Sequence, residues 1–155
     1  MTDHPFVPDR GLPPASAISL ERFQEIMDAD APFATLFALR VEDIGPGTAR
    51  FRMDYRPAVD APNGGVTGAA LMALADVAIY GVVLSVVGPV PLAVTTHLNV
   101  DLVRRCPRGD VIASASLIRA GRRLVTAEAW LASAADRKVV AHATGTYSVP
   151  PPERR

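Results

Sequence analysis

The segment from Gly64 to Gly88, GGVTGAALMALADVAIYGVVLSVVG, carries a single carboxylate, Asp76, in an otherwise apolar or small-residue run. Gly68 stands eight residues before that acid. The pair suits chemistry at a carbonyl carbon. First-turn amides of a helix have no intrahelical acceptor and sit at its positive end, so the Gly68 N–H can stabilise a developing oxyanion. Glycine also has no Cβ to block an approaching acyl group. Asp76, desolvated in an apolar helix, would be a better base, or a carboxylate nucleophile, and the residues leave these two roles open. The bland readings are an acid hydrogen-bonded inside a core and a glycine that eases helix packing.

Spacing bears on assembly. Eight residues of helix span about 12 Å at ~1.5 Å per residue. That is too far for Gly68 and Asp76 of one helix to act on the same carbon. A second copy with its helix antiparallel to the first would bring the missing member, so a twofold dimer with two equal sites is expected.

The run is long enough to cross a bilayer, which takes about 20 apolar residues. However, an acid at mid-span costs roughly 2.5–3.5 kcal/mol, and the nearest basic flanks are Arg56 and Arg104. A helix apolar all round instead belongs in the middle of a soluble core. Other segments supply the cover. Pro5, Pro8, Pro13 and Pro14 predict an extended arm over residues 1–18, and Ser19 caps a short amphipathic helix from Leu20 to about Asp28. Thr35 to Ile44 and Gly47 to Tyr55 read as a hairpin about Gly45-Pro46-Gly47. After Gly88 the period changes to two: Leu92, Val94, Thr96, Leu98, Val100 and Leu102 alternate against Ala93, Thr95, His97, Asn99 and Asp101. Turns at Pro107–Gly109, Ala120–Arg122 and Ala135–Lys138 then separate strands at Asp110–Ile118, Arg123–Ala132 and Val139–Val149. The expected architecture is α+β, an antiparallel sheet of about six strands curled round one helix. Its last four strands are expected as a meander of neighbours, and residues 150–155 as a flexible tail.

Composition bounds the partners. The chain has 155 residues, 49% of them hydrophobic, which suits one domain, here residues 19–149. Sixteen basic and sixteen acidic residues cancel, so no bulk field favours nucleic acid or an anionic membrane. Cys106 is the single cysteine. That excludes a disulfide framework and a zinc site of several thiolates, and it fits a reducing cytoplasm. No metal and no separate cofactor is expected. The N-terminus has no basic region followed by an apolar one, so it does not read as a secretory signal.

The runs GGVTGAALMALADVA, AVTTHLNVDLVRR, GDVIASASLIRAGRRLVTAEAWL and VVAHATGTYSV follow one another in unbroken order. Together they resemble the PaaI-type acyl-CoA thioesterases of the hotdog superfamily, over roughly residues 35 to 149. That family opens its central helix with His-Gly-Gly, places an acid eight residues past the first glycine, and follows with a strand bearing Thr or Ser. Gly68, Asp76 and Thr95 match this pattern; Thr67 stands at the usual His and Ala69 at the second Gly. Asn63 lies in the loop where related enzymes set an Asn near the thioester. The resemblance implies hydrolysis of an acyl-CoA to a carboxylic acid and free CoA, in homodimers that pair further into tetramers. It assigns Asp76, Gly68, Thr95 and Asn63 to catalysis and sets Thr67 beside the substrate. Arg119, Arg122 and Arg123, around the turn at Gly121, are expected to meet the CoA phosphates or adenine.

Competing readings have their own marks. A hotdog dehydratase would need a His at the helix start, where Thr67 stands. A non-catalytic acyl-CoA binding module would leave Asp76 structural. His97 is a tempting base on the same strand face as Thr95, although a structural or interface role suits it better. Trp130 reads as packing.

Overall fold

The computed structural model describes residues 12–151; the remainder of the expected arm and tail, residues 1–11 and 152–155, lies outside the described residues. Helix α1, Leu20–Asp30, starts where Ser19 accepts a hydrogen bond from the Arg22 amide at 3.1 Å, and it buries Phe23, Ile26 and Met27 at three- and four-residue spacing. A short helix α2, Pro32–Leu36, follows with Pro32 in its first turn. The strand expected from Thr35 therefore begins later, after Ala38 ends the helical run at φ 53°. Strands β1, Leu39–Gly45, and β2, Thr48–Met53, form the expected hairpin, with Gly47 at φ 70° in its turn.

Two short strands, β3 at Asp60–Ala61 and β4 at Gly65–Val66, make a small ribbon before helix α3, Gly68–Val87. Four strands complete the chain: β5, Val94–Leu102; β6, Val111–Ala120; β7, Leu124–Ser133; and β8, Val139–Ser148. One antiparallel sheet runs in the order β1-β2-β6-β7-β8-β5.

This order corrects one expectation. Strands β6, β7 and β8 do form a meander, but β5 lies beside β8 and β6 lies beside β2. The link from Val103 to Asp110 is not a tight turn. The Val103 amide donates to the Val140 carbonyl at 3.0 Å, and the Cys106 carbonyl accepts from the Val66 amide at 3.0 Å, with Cys106 buried. Held to β4 by that bond, the link carries the chain past β8 and β7 to the strand beside β2, so β5 is an edge strand among the described residues.

Helix α3 is long and apolar enough to span a bilayer, yet most of it is buried inside the protein. The curled sheet takes the place of lipid. Gly81 allows the close approach: a Cβ there would lie 2.7 Å from the Phe51 ring and 3.0 Å from the Ala49 Cβ. Ser85, fully buried near the end of the helix, accepts from the Gly47 amide at 3.0 Å through its hydroxyl. Its carbonyl accepts from Ala17 at 2.7 Å, so hairpin, helix and N-terminal segment are tied at one point.

One stripe of α3 escapes the sheet. Ala69 and Met72 lie on it with Ala73, Asp76 and Tyr80, at the spacing of a single helix face; Met72 is exposed, and Ala73, Asp76 and Tyr80 are half-buried. The predicted core acid thus stands at the margin of the core. Beside the stripe runs β5, whose expected apolar face is not sealed within one chain: Val94 is 58% and Leu102 48% exposed.

Candidate functional site

Asp76 is reached by two hydroxyls from two strands. Thr95 donates to Oδ1 at 3.1 Å, and Tyr147 donates to the same oxygen at 2.7 Å and also lies 3.3 Å from the Asp76 carbonyl. Thr95 and Tyr147 face each other across β5 and β8. Tyr147 is 4% exposed, and its ring stacks on Tyr80, one helical turn past Asp76, with centroids 5.7 Å apart. Burial, and next the charge of Asp76, push the Tyr147 phenol far above its ordinary range, so it remains a donor. Tyr80 is pushed up to about 12, by burial first and by Asp30 second.

A bulge brings Thr95 to this position. The register of β5 against β8 shifts between Thr95 and His97, with Thr96 the extra residue. Thr95 pairs with inward-facing Tyr147, whereas His97 pairs with Thr146, whose hydroxyl meets Thr126 on the outer face of the sheet. The strict alternation read from the sequence therefore breaks at this point. His97 does not share a face with Thr95, so within the chain it lies on the side of the sheet away from Asp76.

Gly68 and Asn63 lie elsewhere. They line a cavity of about 200 Å³ with Leu102, Arg104 and Arg105, at the N-terminal end of α3. Gly68 is the first residue of the helix, and a Cβ on it would fall 2.8 Å from the Leu102 Cδ1. Thr67 is the N-cap by backbone position, but its side chain makes no capping bond. Arg105 holds the preceding loop by donating to the Asn63 carbonyl at 2.8 Å and to the Gly64 carbonyl. Arg104 is engaged with Asp136 at 3.2 Å.

Asp76 borders a separate cavity of about 190 Å³, lined also by Met27, Asp30, Phe33, Tyr80 and Tyr147. Within one chain, then, Asp76 and Thr95 are brought together and Gly68 and Asn63 are brought together, but the two pairs occupy different cavities. Arg119, Arg122 and Arg123 line neither. They sit around the β6–β7 turn at the Asp76 end of the sheet, all three exposed, where Val125 pairs with Tyr147.

Tyr147 is not among the candidates that the sequence offers. A signal for it exists: a tyrosine at a buried position of a strand requires a partner for its hydroxyl. Arg105, which orders the Asn63 loop, reads in the sequence only as part of a basic strand end.

What this arrangement can do is bounded by its parts. A carboxylate with one oxygen held by two neutral donors can accept a proton or attack an electrophilic carbon. An unencumbered helix N-terminus can polarise a carbonyl oxygen.

Known proteins share this frame. The family model described as the thioesterase superfamily matches residues 63–141, the stretch from Asn63 through α3 and the following strands. A point mutant of the phenylacetic acid degradation protein PaaI from Thermus thermophilus is 30% identical, with a TM-score of 0.69 over 77% of this chain and 99% of its own. A conserved protein from Pseudomonas aeruginosa is 24% identical, with a TM-score of 0.74 over 86% and 100% of the two chains. The PaaI protein of E. coli, from the phenylacetic acid degradation operon, is 19% identical, with a TM-score of 0.74 over 85% and 96%. No curated protein matches the sequence. A six-stranded antiparallel sheet round one long helix, the match from Asn63 onward and the likeness to PaaI agree, and the chain belongs to the thioesterase superfamily as a PaaI-type protein of the hotdog fold.

Proposed function

We propose that this chain is an acyl-CoA thioesterase, cleaving the thioester to a carboxylic acid and free CoA at a site shared by two copies of the chain. One observation carries the reading: Asp76 and Gly68 lie on one helix but border separate cavities, and between them runs a strand edge that is unpaired among the described residues. Antiparallel pairing of two β5 edges about their middle, near Leu98, sets the Thr95 end of one strand beside the Leu102 end of the other. Since Leu102 packs against Gly68 and Thr95 against Asp76, the same twofold sets Asp76 beside Gly68 of the partner subunit. The exposed apolar groups Met72 and Leu102 are then covered.

Gly68 of the partner subunit directs its amide at the thioester oxygen, with Asn63 of the partner subunit close by. Asp76 acts by one of two routes. As a base it takes a proton from water, the resulting hydroxide adds to the carbonyl carbon, and collapse of the oxyanion breaks the C–S bond and releases CoA thiolate, which takes up a proton. As a nucleophile it adds to the carbon itself and expels CoA thiolate, and water then hydrolyses the mixed anhydride. Arg119, Arg122 and Arg123, at the Asp76 end of the sheet, are the proposed contacts for CoA phosphate or adenine, and Thr67 lies against the acyl thioester. The enzyme works in the cytoplasm as a dimer that pairs into a dimer of dimers.

Release of free thiol from phenylacetyl, benzoyl and aliphatic CoA esters tests the reading and ranks the acyl groups. Turnover of at least one ester that is lost in Asp76→Asn is expected. Binding of the esters with no thiol released would instead identify a non-catalytic acyl-CoA module.

A further inference from the structure

Tyr147 differs from an ordinary core tyrosine in three ways. Its hydroxyl donates to the side chain of Asp76, at 2.7 Å, and not only toward a backbone carbonyl. The oxygen it meets is the one Thr95 also meets, so Oδ1 takes two donors while Oδ2 takes none among the described residues. Its ring is also clamped: it stacks on Tyr80 at an interplanar angle of 29°, and Tyr80 leans on Phe23 of α1 at 5.9 Å. A phenol held by its ring cannot follow a rotating carboxylate, so the hydrogen bond sets the rotamer of the acid.

We propose that Tyr147 is the positioning residue of this site: with Thr95 it fixes Oδ1 of Asp76 and leaves Oδ2 as the oxygen that works on the acyl group. The inference rests on the reading of Asp76 as base or nucleophile. The groups facing the acid are few. Helix α3 brings Tyr80, α1 brings Asp30 at the cavity wall, β8 brings Tyr147, and β5 brings only the neutral hydroxyl of Thr95; among the described residues no His or Lys lines this cavity. A donor on a carboxylate favours its charged form. Removing one therefore moves the acid limb of the activity profile to higher pH.

The test is the pH profile of kcat for wild type, Tyr147→Phe, Thr95→Val and Asp76→Asn on one acyl-CoA ester. Tyr147→Phe keeps the stacked ring and removes only the donor. We expect kcat to fall about tenfold, the loss of one hydrogen bond to a charged group, with KM little changed and the acid limb shifted upward. Thr95→Val, on the exposed strand, should shift the limb in the same direction, and it carries the measurement alone if Tyr147→Phe fails to fold. Wild-type kcat and an unmoved limb in these variants, or a loss confined to KM, would overturn the positioning role. Asp76→Asn separates the two levels. If it is inactive while Tyr147→Phe is silent, only the role of Tyr147 falls; if it is fully active, the reading of Asp76 falls as well.

Discussion

Thr95 reaches the carboxylate of Asp76 at 3.1 Å although the residue two positions on, His97, faces the opposite side of the sheet. The extra residue Thr96 reverses the phase of the strand, so a position that strict alternation sets opposite Leu98 and Val100 delivers its hydroxyl to the helix. The uncovered stripe of α3, the free edge of β5 and the two cavities all lie along this seam.

Gly68→Pro removes the proposed oxyanion donor, and its Cβ, 2.8 Å from the Leu102 Cδ1, is accommodated by a shift of that flexible side-chain end. Proline suits the first helical position, and Thr67 before it already holds an extended backbone, φ −66° and ψ 144°. The variant should fold and lose about 10²–10³ in kcat. Mixing it with Asp76→Asn, after dissociation and reassembly, should restore about a quarter of wild-type activity, because each mixed dimer holds one site with both groups intact. Failure of the mixture to recover activity would place both groups in one chain.

Met72→Asp sets a charge on the exposed stripe of α3, where Met72 is 44% exposed. It should leave the single chain folded, as judged by circular dichroism, and shift sedimentation toward the monomer, with activity falling in step. A dimer of undiminished strength would show that the contact lies elsewhere.

Gly81→Val inserts methyl groups between α3 and β2, against the Phe51 ring and Ala49. Overpacking of this kind costs about 1–3 kcal/mol. A denaturant midpoint equal to that of wild type would contradict the close helix–sheet contact.

Acid stability should depend on Glu42. Its hydrogen bonds to Arg52 at 2.5 Å and to Arg50 at 3.0 Å hold its carboxyl below the ordinary value of 4.5, Arg52 contributing most. A group that stays charged to lower pH in the folded state stabilises that state above its unfolded value, and the contribution is lost as pH falls through the folded value. The Tm of wild type should therefore drop more steeply than that of Glu42→Gln between about pH 5 and 3. Parallel curves would assign the acid sensitivity to other carboxylates, such as Asp60, which Arg108 holds low.

Much of this frame is legible in residue order. Period-two runs and an unbroken apolar segment mark the strands and the buried helix, because burial on one side or on all sides leaves those patterns. The neighbours of β5 are not legible. Pro107 and Gly109 carry turn chemistry, yet the backbone bond from Val66 to Cys106 routes the link across the sheet, and a backbone bond of that kind leaves no mark in side-chain type. Gly68 and Asp76 can be paired through the family resemblance, whereas Tyr147 lies 71 residues from Asp76 and only the folded sheet closes that distance. The bulge at Thr96 is hidden for a similar reason: threonine suits either phase of a strand.

The order in which the chain is made sets a burden on its birth. Helix α3 precedes β5, β6, β7 and β8, so during translation a segment of membrane-grade hydropathy leaves the ribosome before those four strands can shield it. Until the last strand emerges, the nascent chain offers chaperones and aggregating neighbours a greasy rod that the finished protein never shows.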